Sequence, residues 1–110
     1  MSKEFLDFLK HKYAYVAVGE FKPGQFSEAQ RLYEKAVSTY KDGFKGAFLL
    51  QKHGTDEGIA VIMWEKIEDM EANQNEIYQE IMEKMTPLFV KPPKTDFYEV
   101  CSEIDGSSEQ

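Results

Sequence analysis

The six residues from Ile59 to Trp64 include no polar side chain. Successive side chains of a strand point to opposite faces of its sheet, so a strand apolar at both parities needs cover on both sides. Two further segments carry the same demand. Over 44–52, Phe44, Phe48 and Leu50 share one parity while Ala47 and Leu49 fill the other. Over 13–21, Tyr13, Tyr15, Ala17, Gly19 and Phe21 alternate with Ala14, Val16, Val18 and Glu20. Strands are predicted over 13–21, 44–52, 59–65 and, after Lys91-Pro92-Pro93-Lys94, over 95–104.

Helical spacing separates them. Phe26, Ala29, Tyr33, Ala36, Val37 and Tyr40 recur on one face, with Ser27 and Gln30 as a capping box and Asp42-Gly43 as the stop. A second helical region spans 67–89, marked by Ile67, Met70, Tyr78, Ile81, Met85 and Leu88. Asn73 with Glu76, or Asn75 alone, can cap it afresh midway, and Pro87 disturbs its end. Strand, helix, strand, strand, helix, strand is the split βαβ order of an α+β, ferredoxin-like antiparallel sheet.

Helices cover one face of such a sheet. The other, lined by valine, leucine and isoleucine, is a larger apolar patch than monomers usually tolerate. The simplest cover is a second copy in a two-fold homodimer, or a higher assembly. The alternative is cover within one chain, by the lead segment 1–12 or the tail 105–110. Residues 13–104 form the single domain. The lead carries Phe5, Leu6, Phe8 and Leu9 on a short helix capped by Ser2, and the tail is polar and loose.

Composition narrows the partners. A formal charge of −7, from 20 acidic and 13 basic residues, disfavours nucleic acid and anionic membranes. No apolar run approaches the roughly 18 residues of a membrane span, and the first residues lack a signal-peptide core. A cytoplasmic location is expected. Cys101, flanked by Glu99 and Glu103, is read as a strand residue rather than a nucleophile. His11 and His53 are the two histidines, and neither belongs to a metal-ligand spacing. The Gly54 to Gly58 turn contains Asp56 and Glu57, which repel phosphate. No haem, flavin or metal cofactor is expected.

Three stretches carry a family resemblance: Lys22-Pro23-Gly24-Gln25, Gly43-Phe44-Lys45-Gly46, and the run from Trp64-Glu65 through Glu71-Ala72-Asn73. In this order and spacing the chain resembles the antibiotic-biosynthesis monooxygenase family over about residues 13–100. The resemblance implies a dimeric α+β barrel with a pocket between sheet and helices. It also implies, for some members, cofactor-independent oxygenation of phenols or hydroquinones to quinones. Other relatives degrade haem or isomerise small metabolites. Many relatives carry His where this chain has Asn73, and residues 75–84 contain none. The haem-degrading branch uses Asn, Trp and His where this chain has Ala17, Asn73 and Glu83, so haem degradation of that kind is rejected.

By that resemblance Trp64, Asn73, Tyr15 and Tyr78 are the expected substrate-binding residues. Trp64 offers an indole N–H and a stacking face, Asn73 a donor and an acceptor, and the tyrosines phenolic tips. Each has a plain structural alternative: core packing for Trp64 and the tyrosines, helix capping for Asn73. No catalytic residue is assigned. The expected partner is a small hydrophobic or aromatic molecule. Three readings follow: a cofactor-free oxygenase, a non-catalytic binding or regulatory module, or an oligomer whose aromatics are all core.

Overall fold

β1 (Tyr13–Glu20) lies inside the sheet although it comes first in the chain. It pairs antiparallel with β3 (Glu57–Trp64) on one side and β4 (Lys94–Glu99) on the other, and β2 (Phe44–Gln51) closes the order β2-β3-β1-β4. Helices α1 (Phe26–Val37), α2 (Ile67–Ala72) and α3 (Glu76–Met85) and a 3-10 turn (Thr86–Leu88) accompany the sheet among the described residues. This is the α+β ferredoxin-like arrangement read from the sequence. The computed structural model describes residues 12–104 and Gly106. The expected lead helix and almost all of the tail lie outside the described residues. Among these, no helix is long and apolar enough to cross a membrane.

Register assigns the two sheet faces. Tyr15, Ala17 and Gly19 sit opposite Ile62, Ala60 and Gly58, and this face meets the helices. Val16 and Val18 sit opposite Val61 and Ile59 on the other face, where Phe48 and Leu50 join them. Over that outer face Phe48 is 57% exposed and Leu50 50% exposed, so nothing among the described residues covers them. Between helices and sheet, Leu32 and Ala36 of α1 pack on Ile81 and Met85 of α3. A second cluster joins Phe21, Phe26 and Ala29.

Several local expectations are corrected. Phe44 does not share a face with Phe48 and Leu50. A bulge between Phe44 and Gly46 places one extra residue in β2, so Phe44 pairs with Trp64 and turns to the helix side. Gly46 takes φ +135 there, a conformation open to glycine. The Ser27–Gln30 capping box is not formed. The turn after β1 closes through the Gln25 N–H to the Lys22 carbonyl at 3.0 Å, and the Gln25 carbonyl already accepts the Ala29 N–H. Helix α1 therefore starts at Phe26, whose ring meets Phe21 edge-on at 5.5 Å.

Helix α1 stops at Val37 rather than at Asp42-Gly43. The Ser38 and Thr39 hydroxyls donate to the Lys35 and Ala36 carbonyls, both at 2.7 Å, and occupy the acceptors of the last turn. Gly43 does adopt φ +83, but at the start of β2, where the Asp69 carboxyl fills the space of a Cβ. The second helical region splits into α2 and α3 because Asn75 caps α3, accepting the Tyr78 N–H at 2.8 Å. Strands β2 and β3 cover 44–51 and 57–64, each shifted or trimmed against its predicted span, and the first strand ends at Glu20 with a lone bridge from Phe21 to Phe89. β4 ends at Glu99, so Cys101 lies beyond the strand and is exposed.

Candidate functional site

Where β1 and β3 run beneath the helices, the helix-facing residues are small. Ala17 pairs with Ala60 and Gly19 with Gly58, so the centre of the sheet presents only methyl groups and bare backbone. Opposite lie Met70 of α2 and Met82 and Met85 of α3. Side chains this short on one wall and this flexible on the other leave a cavity of about 130 Å³.

Its two ends differ in chemistry. At the Gly19 end, Phe21 and Phe89 stack with ring centroids 4.5 Å apart. Gly19 is required for that closure, since a Cβ there would stand 2.6 Å from the Phe89 ring. At the Tyr15 end, three phenols line the wall: Tyr15 from β1, Tyr40 from the loop after α1, and Tyr78 from α3. The Tyr40 and Tyr78 rings lie 6.4 Å apart.

The expected site residues divide. Tyr15 and Tyr78 line the cavity; Trp64 and Asn73 do not. Trp64 is completely buried, with its indole 5.0 Å from the Tyr40 ring and 5.8 Å from Phe44. It backs the wall that Tyr40 forms. Its Nε1 has no hydrogen-bond partner among the described residues.

Asn73 is buried and bonded entirely to backbone. Its Oδ1 accepts the Lys41 N–H at 2.9 Å, and its Nδ2 donates to the carbonyls of Asp42 at 3.0 Å and Asp69 at 2.7 Å. With both ends of the amide engaged, it fastens the loop that carries Tyr40 to the end of α2.

Tyr40 is the lining phenol that sequence reasoning did not single out. Helical spacing places it last in the α1 stripe. Because α1 ends at Val37, Tyr40 stands in the loop and turns its ring toward Trp64. The clue was present in Ser38-Thr39, a pair whose hydroxyls compete for helix carbonyls.

Among the described residues, no Asp, Glu, His, Lys or Arg lines the cavity. Burial raises the Tyr40 hydroxyl well above the ordinary phenol range, and the neighbouring Tyr78, Tyr33 and Tyr15 raise it further. Tyr78 is raised by burial and by Tyr15, against an opposing hydrogen bond with Gln74. Tyr33, whose hydroxyl donates to the Phe48 carbonyl at 2.8 Å, is pushed up to about 12 by burial. The folded chain thus holds these protons more tightly than the unfolded chain, whose tyrosines ionise near about pH 10. The stability they contribute is fully present below about pH 10 and is lost as pH climbs through and beyond that value. Phenolate absorbance in an alkaline titration should show Tyr33, Tyr40 and Tyr78 ionising only as the fold is lost. Ordinary reversible ionisation of all 6 tyrosines would contradict this.

Among the described residues no three His, Cys, Asp or Glu side chains gather as a metal site. No protein-family model matches the chain, and neither does any curated protein. Solved structures do match in fold. A conserved protein from Methanosarcina mazei superposes with TM-score 0.74 at 15% identity, over 84% of this chain and 96% of that one. A protein from Bordetella bronchiseptica, provisionally named an antibiotic biosynthesis monooxygenase, gives 0.68 at 17% identity, over 79% and 94%. SnoaB, a cofactor-independent oxygenase from Streptomyces nogalater, gives 0.67 at 11% identity, over 86% and 96%.

Proposed function

We propose that this protein is a cofactor-independent monooxygenase of the antibiotic-biosynthesis type, acting on a small aromatic or quinol-like molecule in the cavity between sheet and helices. The observation that carries the reading is the cavity itself, apolar along its length and edged by phenols at one end. Such a mixture is the usual chemistry of a small-molecule site. Likeness of fold to SnoaB supports it.

In this chemistry a phenol and O₂ give a quinone and water. One oxygen atom becomes the new carbonyl, the other leaves as water, and the ring supplies all four electrons. No outside reductant enters. The protein's part is to orient the ring, stabilise charge developing on its oxygen through hydroxyl donors, and keep bulk water away. Tyr15, Tyr40 and Tyr78 are the proposed donors, with Trp64 and Asn73 holding Tyr40 in place.

Among the described residues no carboxylate, imidazole or amine lines the cavity, which favours a second reading, a binding or regulatory module on the same fold. An oxygen electrode separates the two. A catalyst consumes one O₂ for each quinone formed from a monocyclic phenol, in proportion to protein concentration. Saturable binding with no protein-dependent uptake would establish the binding module instead.

The open sheet face is proposed to seat a second copy. Val16, Val18, Ile59 and Val61 form its centre, flanked by exposed Phe48, Leu50 and Tyr98. Face-to-face sheet packing would remove this surface from water. Val61→Glu places a charge at the centre of that face and should yield monomer or precipitate in light scattering, whereas Ile62 points into the cavity side. A monodisperse monomer for the unmodified chain at micromolar concentration would overturn the dimer.

A further inference from the structure

Size, charge and polarity of the cavity together select a ligand class. A dry apolar cavity of about 150 Å³ holds benzene. At about 130 Å³ this one has room for a single six-membered ring. A fused ring would have to displace the methionine side chains of the helix wall. The sheet wall is backbone and methyl groups at Ala17 and Ala60 and cannot recede by changing rotamer. The Phe21–Phe89 stack, seated on Gly19, closes the hydrocarbon end.

Charge is constrained as firmly. Among the described residues no cation lines the cavity, so a carboxylate or phosphate entering it would lose its hydration without gaining a partner from them. The burial that raises Tyr40 and Tyr78 acts in the same direction on a bound phenol, favouring its neutral form in the resting complex. Polar contact is available at the tyrosine end, where hydroxyls can both donate and accept.

We infer that the cavity selects an uncharged monocyclic phenol or quinol, with a ring oxygen at Tyr15, Tyr40 and Tyr78 and its hydrocarbon edge toward Phe21 and Phe89, and excludes fused-ring and carboxylated analogues. This rests on the reading of the cavity as the substrate site.

Binding of four probes to the full chain tests it: phenol, 4-methylphenol, 1-naphthol and 4-hydroxybenzoate, followed by ligand-observed NMR and calorimetry at pH 7. Phenol and 4-methylphenol should bind, and the other two should bind at least about tenfold more weakly, a difference of about 1.4 kcal/mol. Ala60→Leu, which fills the floor, should remove phenol binding while circular dichroism stays native. If Ala60→Leu does not fold, Ala17→Val serves the same purpose on the paired strand. Tyr40→Phe should weaken phenol more than toluene, a readout that simple loss of packing would not give. Naphthol or 4-hydroxybenzoate binding as tightly as phenol would overturn the selection while leaving the site reading intact. If none of the four rings binds, the site reading falls with it.

Discussion

Trp64→Ala should destabilise the protein by about 3–5 kcal/mol, the range for removing a large buried aromatic. The side chain is wholly buried, and its loss leaves Tyr40 and Phe44 facing a void at the end of β3. That is a large fraction of the roughly 5–15 kcal/mol by which domains are usually stable. Urea unfolding followed by circular dichroism measures it. Loss of ligand binding in this variant would then report a collapsed wall rather than a missing contact. Trp64→Phe makes the distinction, because it keeps a ring against Tyr40 and removes an N–H that has no partner among the described residues. It should cost much less than alanine and retain phenol binding. Abolished binding in a stable Trp64→Phe protein would show that the indole N–H touches the ligand after all.

Asn73→Ala should cost about 2–4 kcal/mol, since it strips partners from the Lys41 N–H and from the Asp42 and Asp69 carbonyls together. Asn73→Asp is the sharper experiment. The aspartate retains an acceptor for Lys41 but turns a carboxylate oxygen toward two carbonyls that previously received N–H bonds. Nearly isosteric replacement should therefore be about as damaging as truncation. In both variants the Tyr40 loop loses its fastening, so phenol affinity should fall along with stability. Full stability in Asn73→Asp, with altered binding alone, would make the residue a ligand contact and refute the backbone role.

The order of elements was legible because it depends on hydrophobic pattern, and the unbroken apolar run from Ile59 to Trp64 and the two-sided segment 13–21 differ plainly from the helical spacing of Phe26, Ala29, Tyr33 and Ala36. Features set by single hydrogen bonds were harder to read. Ser27 has the right type and spacing for a cap, yet the Lys22–Gln25 turn takes over the helix start. Parity counting assumes an unbroken register, so the bulge before Gly46 reversed Phe44 without any change in composition.

The candidate site shows the same division. Tyr15 and Tyr78 could be located because each sits within a regular element, where period determines face. Asn73 can donate and accept, but two of its three partners are backbone groups some thirty positions away in the chain. Tyr40 was assigned to a helix that ends three residues before it. The long-range bonds of Asn73 have no local signature, and the one local sign for Tyr40 is the Ser38-Thr39 pair that ends the helix early.

The sheet order also bears on how the chain assembles. β2 and β3 are joined by a short turn and can meet as soon as both exist. β1 must find β3 across an intervening helix and strand, and β4 at the far end of the domain. Contacts so distant in sequence make the search slow compared with helical proteins of equal size. On the ribosome, which releases the amino end first, β1 emerges early and waits with one edge unpaired until β4 appears. Made before the other three strands of the sheet, β1 is thus among the last to be enclosed, and the charged Lys94 and Asp96 arrive on the strand that finally shields it.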